Sequence, residues 1–186
     1  MKLGSAARAQ LSELIARATP LKGDFFRSVA FRYFHLDDLI SGEGTRLYGG
    51  RFVPVGVPAV YASCEEETAS REVTTRKKAL SGRGQIDLRD YPRMTYVVGI
   101  NTKRNLDLTV NVPPDLSVVL CRCLRAESRA ASQALATIWI AGGIESLLFP
   151  SVAGGGCNVV VYLQNAGSDS VVVRNREAVL AALRRP

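Results

Sequence analysis

The chain has 186 residues, 47% of them hydrophobic, which is enough to bury one sizeable core and requires no second domain. A formal charge of +7 and a pI near 9.5 favour anionic partners such as nucleotides, nucleic acid or an acidic protein, and do not identify a fold. No run is long enough to cross a bilayer, and Arg8, Glu13 and Arg17 interrupt any signal-peptide core, so the sequence predicts a cytoplasmic protein.

Leu3, Ala7, Leu11, Leu14, Ile15 and Ala18 recur at helical spacing as far as Pro20. This predicts an amphipathic helix of about four turns, packed on its own domain. Lys22-Gly23-Asp24 then reads as a turn. Phe25 to Phe34 alternates in part and reads as a strand, with Arg32 and Phe34 on one face and Phe31 and Tyr33 on the other. An arginine in such a strand is costly unless it is paired, faces a cleft or snorkels to water from a sheet edge.

The stretch from Gly42 to Tyr61 sets Gly42, Gly44, Gly49, Gly50 and Gly56 beside Arg46 and Arg51. Glycines let backbone N–H groups converge on a ligand, and a guanidinium fork matches two phosphate oxygens, so the loop can grip an anion. A hairpin turn with solvated arginines is the plainer alternative. Arg46-Leu47-Tyr48-Gly49-Gly50-Arg51-Phe52, followed by Gly56, Pro58 and Val60-Tyr61, resembles the signature of the RES domain family, named for an arginine, a glutamate and a serine. The resemblance implies an NAD⁺-degrading toxin of a toxin–antitoxin pair, with an antitoxin protein over its active-site entrance. It also implies an α+β single domain similar to ADP-ribosyltransferase toxins, with mixed or antiparallel sheets flanked by helices. Residues 1–24 would form a helical extension, 25–175 the RES domain and 176–186 a terminal helix or tail. The arginine of the NAD⁺ pocket falls at Arg32. Phe52-Val53 departs from the Trp-Asn common in the family.

Ala59 to Ala62 reads as a short strand, and Ser63-Cys64-Glu65-Glu66 has the spacing of a capping box that opens a helix running to about Leu80. Ala69, Val73, Arg76 and Ala79 or Leu80 follow one another at three and four, and Glu72 falls on the same stripe, at the margin of the buried surface. Glu72 either pairs with Arg76 at i,i+4 on a solvated face or turns towards the glycine loop; the RES resemblance matches it to the family's glutamate. Beyond a polar loop from Gly82 to Tyr91, Met94 to Ile100 and Leu106 to Leu108 read as two strands, Asn111 to Pro114 as a turn and Leu116 to Leu124 as a strand. Ser128 to Ala141 reads as a helix ended by Gly142-Gly143, and Ser132-Gln133 resembles the Ser-Gln step of RES helices. Ile144 to Phe149, Val159 to Tyr162 and Val171 to Val173 read as strands, and Arg176 to Arg184 as a helix. Pro150-Ser151 matches the family's serine step. No G-x-S-x-G elbow surrounds Ser151, which suits a substrate hydrogen bond better than an acyl-transfer nucleophile.

Cys64, Cys121, Cys123 and Cys157 show neither a C-x-x-C pair nor nearby histidines, and His35 is the only histidine, so no metal is expected and the cysteines read as buried reduced thiols. Cleaving the nicotinamide–ribose bond of NAD⁺ needs a carboxylate near a developing cation, guanidinium groups on the pyrophosphate and a surface for the ring. Glu72 can supply the first, and Arg32, Arg46 and Arg51 the second. Tyr48 or Tyr61 can stack on nicotinamide, beside the Gly49-Gly50 turn, with Ser151 orienting the amide or the ribose. Water as acceptor makes a glycohydrolase, phosphate a phosphorylase, and a protein side chain an ADP-ribosyltransferase. A catalytically silent anion or nucleic-acid binding module is a further alternative, although no nucleic-acid motif is visible. Self-association is left open.

Overall fold

The computed structural model describes residues 5–30, 39–81, 93–110 and 129–183. Strands β1 (Thr19–Ala30), β2 (Ala59–Ser63), β3 (Arg93–Asp107), β4 (Ser146–Pro150), β5 (Cys157–Tyr162) and β6 (Val171–Val173) form one six-stranded sheet in the order β1-β2-β5-β4-β3-β6. β1 also pairs with β3, so the five longer strands close into a ring. Only the β3–β4 pairing is parallel among these.

The core follows from alternation along the inner strands. β5 sends Val160 and Tyr162 into one cluster and Val159 and Val161 into another, because successive strand side chains leave on opposite faces. A strand buried on both sides reads as a continuous apolar run, which is how Val159 to Tyr162 appears in the sequence. The first cluster takes Leu11 and Leu14 from helix α1 (Ser5–Ala16), and Leu135, Ala136, Trp139 and Ile140 from helix α4 (Arg129–Ala141), against Phe52, Val53, Leu147 and Phe149. α4 ends in a Schellman pair: Ile144 N–H donates to the Trp139 carbonyl at 3.0 Å and Gly143 N–H to that of Ile140 at 3.0 Å. The second cluster joins Phe25, Tyr96, Val98 and Ile100 to Val171 and to Val179 of helix α5 (Arg176–Leu183).

Several local expectations are corrected. α1 stops at Ala16, short of Pro20, which lies inside β1. Proline has no N–H for a ladder, and the β1–β3 register shifts there, between Thr19 and Leu21. Lys22-Gly23-Asp24 is extended and pairs with Asn101, Ile100 and Gly99. Lys22 and Asp24 share the exposed face of the strand while Phe25 is buried, so period-two polarity imitates a turn. The two strands predicted around residues 94–108 are one strand of 15 residues. Its polar middle stays extended because buried Thr102 bonds the Ser146 hydroxyl at 2.7 Å and Lys103 N–H donates to Glu145 Oε2 at 2.7 Å. Arg32, His35, Cys121 and Cys123, together with the predicted loop 82–91, turn 111–114 and strand 116–124, lie outside the described residues.

The thiol expectation is corrected as well. Cys64 and Cys157 form a disulfide with Cα atoms 5.5 Å apart. They flank Ser63 and Asn158, which are register partners across β2 and β5, and Cys64 N–H donates to the Cys157 carbonyl at 2.9 Å. Antiparallel pairing thus brings together two cysteines separated by 93 residues.

Candidate active site

Helix α3 (Glu66–Ser81) carries Glu72 on the same face as buried Thr68 and Ala69. Its carboxylate Oε1 accepts from the Ser151 hydroxyl at 2.6 Å and from Asn158 Nδ2 at 2.5 Å. Glu72 is half-buried and turned towards the sheet, and the side chain of Arg76, its i,i+4 neighbour, lies outside the described residues. Ser63 is not the helix cap that its spacing suggests. It ends β2, is buried, and donates its hydroxyl to Asn158 Oδ1 at 2.7 Å.

Ser151 stands just past the end of β4. Its hydroxyl also accepts from Ala153 N–H at 3.1 Å, and its own N–H donates to the Gly156 carbonyl at 3.2 Å. The local turn bond and the contact to Glu72 thus coexist in one side chain. Arg51 reaches the same corner from the glycine-rich stretch: Nη2 donates to the Pro150 carbonyl at 3.1 Å, and the guanidinium lies 4.5 Å from the Phe149 ring centroid. Glu72, Ser151 and Arg51 are thereby gathered around the end of one strand.

The glycine-rich stretch is more ordered than a bare loop. It contains a short helix, α2 (Glu43–Tyr48), tied to β2 by Thr45, whose hydroxyl donates to the Ala59 carbonyl at 2.8 Å. Gly49 has φ +61°, and a Cβ on Gly50 would meet the Tyr61 hydroxyl at 2.5 Å, so both positions exclude a side chain. Tyr61 Oη accepts the Phe52 N–H at 3.1 Å, while the Tyr162 hydroxyl donates to the Phe52 carbonyl at 3.0 Å. Phe52 and Val53, where the family commonly has Trp-Asn, are both fully buried. Gln133 of α4 clamps the turn by donating to the Gly50 carbonyl at 2.9 Å and the Val53 carbonyl at 3.1 Å.

The remaining candidates fall in different places. Arg46 is held by Glu43 through bonds of 2.7 and 2.6 Å on the exposed face of α2, and this contact lowers the Glu43 pKa and raises that of Arg46. Tyr48 is 71% exposed, which leaves its ring accessible to a planar ligand. Tyr61 is half-buried with its ring edge-on to Phe149. Among the described residues, Arg27 is the arginine of β1 that reaches this region, donating to the Tyr61 carbonyl at 2.7 Å and to the Tyr96 hydroxyl at 3.0 Å. Asn158 and Arg27 were not singled out from the sequence. A polar residue heading the run Val159 to Val161 was the available signal for Asn158. Among the described residues, no group of three or more His, Cys, Asp or Glu side chains is arranged to hold a metal ion.

The six-stranded sheet and its helices define an α+β domain with Glu72, Ser151 and Arg51 at the end of one strand. A chain of the crystal structure of the M. tuberculosis MbcT–MbcA toxin–antitoxin complex superposes with a TM-score of 0.67 at 20% identity, covering 94% of this chain and 96% of that one. The RES domain profile matches residues 24–181, and the chain belongs to that family. No curated protein matches the sequence. No helix among the described residues is long and apolar enough to cross a membrane.

Proposed function

We propose that this chain is the toxin of a toxin–antitoxin pair and that it consumes NAD⁺ by cleaving the nicotinamide–ribose bond. The observation that carries the proposal is the convergence of Ser151 and Asn158 on one oxygen of Glu72, with Arg51 on the adjoining Pro150 carbonyl. Membership of the RES family and the superposition on a chain of a toxin–antitoxin complex support it.

In the proposed reaction the bond between ribose C1′ and the nicotinamide nitrogen breaks, and its electron pair leaves with neutral nicotinamide. Positive charge then spreads over C1′ and the ring oxygen. With both donors on Oε1, the Glu72 carboxylate is oriented to present Oε2 to the ribose, where its charge opposes the developing cation. Arg51 binds the pyrophosphate, a bidentate match for its guanidinium fork. Exposed Tyr48 supplies a face for the base. Arg32 and Arg46 remain assigned to the nucleotide, Arg46 by exchanging Glu43 for phosphate. Water capturing the cation yields ADP-ribose and a proton; inorganic phosphate yields ADP-ribose phosphate; a protein nucleophile yields a modified protein. An antitoxin is the expected partner, placed over the entrance.

The test is incubation of purified protein with NAD⁺, with and without phosphate, and identification of the products by mass. Nicotinamide release with ADP-ribose or its phosphate is expected. Intact NAD⁺, together with steeply salt-dependent polynucleotide binding, would instead indicate a binding module.

A further inference from the structure

We infer that Asn158, locked by Ser63, is the positioning residue that aims the Glu72 carboxylate; the inference rests on the proposed NAD⁺ chemistry for its kinetic readout. A carboxylate only accepts hydrogen bonds when ionised, so the Asn158 amide must present its NH₂ to Glu72 and its oxygen to the other side. The Ser63 hydroxyl meets that oxygen at 2.7 Å, and the amide nitrogen meets Glu72 Oε1 at 2.5 Å. Each group in the relay fixes the orientation of the next.

The two donors to Glu72 differ in stiffness. Ser151 belongs to an irregular segment that runs through Gly154, Gly155 and Gly156, all at positive φ. Asn158 belongs to β5, which is paired on both sides, with Ser63 of β2 and Phe149 of β4 as its register partners. Asn158 is 6% exposed and Ser63 4%, so neither bond is exchanged easily for water. The Cys64–Cys157 disulfide further ties the backbone next to both residues. A site held by strands keeps its geometry better than one held by a turn. Asn158 is thus the rigid reference for Glu72, and Ser151 is the donor that can follow substrate.

The experiment measures kcat and KM for NAD⁺ cleavage in Asn158→Ala, Ser63→Ala and Ser63→Thr, with thermal melting of each. Losing a hydrogen bond to a charged group predicts a fall in kcat of roughly 10- to 100-fold for Asn158→Ala, with KM changed less than about threefold. Ser63→Ala should lose kcat several-fold through the freed amide. Ser63→Thr keeps the hydroxyl and should restore it. A crystal structure of Asn158→Ala should show the Glu72 carboxylate moved from its wild-type rotamer, a readout independent of turnover. An unmoved carboxylate, or an Asn158→Ala kcat within twofold of wild type, overturns the inference. Should Asn158→Ala not fold, equal kcat in Ser63→Ala and Ser63→Thr overturns it instead. Wild-type protein that leaves NAD⁺ intact defeats the proposed function, and the carboxylate position then decides the positioning role alone.

Discussion

Replacing Glu72 by Gln separates the chemical role of this side chain from its structural one. The amide keeps the volume and retains an acceptor oxygen for the Ser151 hydroxyl and Asn158 Nδ2, the two donors seen at 2.6 and 2.5 Å. Both bonds become neutral. A charge-assisted bond contributes about 1.5–3 kcal/mol and a neutral one about 1, so the pair loses on the order of 2 kcal/mol. For a domain of this size that corresponds to a fall in melting temperature of about 4–8 °C. Turnover should suffer far more. The variant turns an NH₂ group towards the ribose where the developing cation needs negative charge, and removing one such electrostatic element costs roughly 10²- to 10³-fold in kcat. Nicotinamide release is followed by chromatography, with circular dichroism melts on the same samples. A folded Glu72→Gln protein that turns over within threefold of wild type would refute the assignment.

Arg51→Ala should raise KM for NAD⁺ about tenfold or more while changing kcat less, because a pyrophosphate fork acts mainly in binding; steady-state kinetics decide this. Gly50→Ala would place a methyl group 2.5 Å from the Tyr61 hydroxyl, and Tyr61 is pinned by the Phe52 N–H, so the turn must shift. A destabilisation of about 1–3 kcal/mol is expected in urea titrations. Reducing the Cys64–Cys157 disulfide, which spans 93 residues, should cost roughly 2–4 kcal/mol, read as a lower melting temperature in dithiothreitol. Burial raises Tyr162 well above its ordinary value of 10.0, and burial likewise raises Tyr96 against the opposing pull of Arg27. Their stabilisation is therefore complete below the unfolded value and is lost as pH rises from there through the folded ones. Denaturation should set in above about pH 10, and Tyr162→Phe should flatten that alkaline loss in pH-dependent melts.

What could be read from the chain was local. Helical spacing located α4, the apolar run marked β5, and the glycines around Arg51 identified the turn that Gln133 and Tyr61 clamp. The RES signature carried Glu72 and Ser151 to positions that lie 2.6 Å apart in the fold. What escaped was set by pairing between distant segments. Ser63 meets Asn158 across a separation of 95 residues, and spacing alone made Ser63 a helix cap. The same pairing makes the disulfide, which no cysteine motif announces. Lys22-Gly23-Asp24 failed for a different reason: an exposed strand face and a turn share the same polar residues, and only the partner strand distinguishes them.

The central claim is that the inward carboxylate and the turn arginine belong to one nucleotide site. A crystal structure of the Glu72→Gln variant bound to NAD⁺ tests it most directly. The nicotinamide ribose should lie within hydrogen-bond reach of residue 72, with the pyrophosphate on Arg51. NAD⁺ bound elsewhere, or with its pyrophosphate facing away from that arginine, would contradict the account.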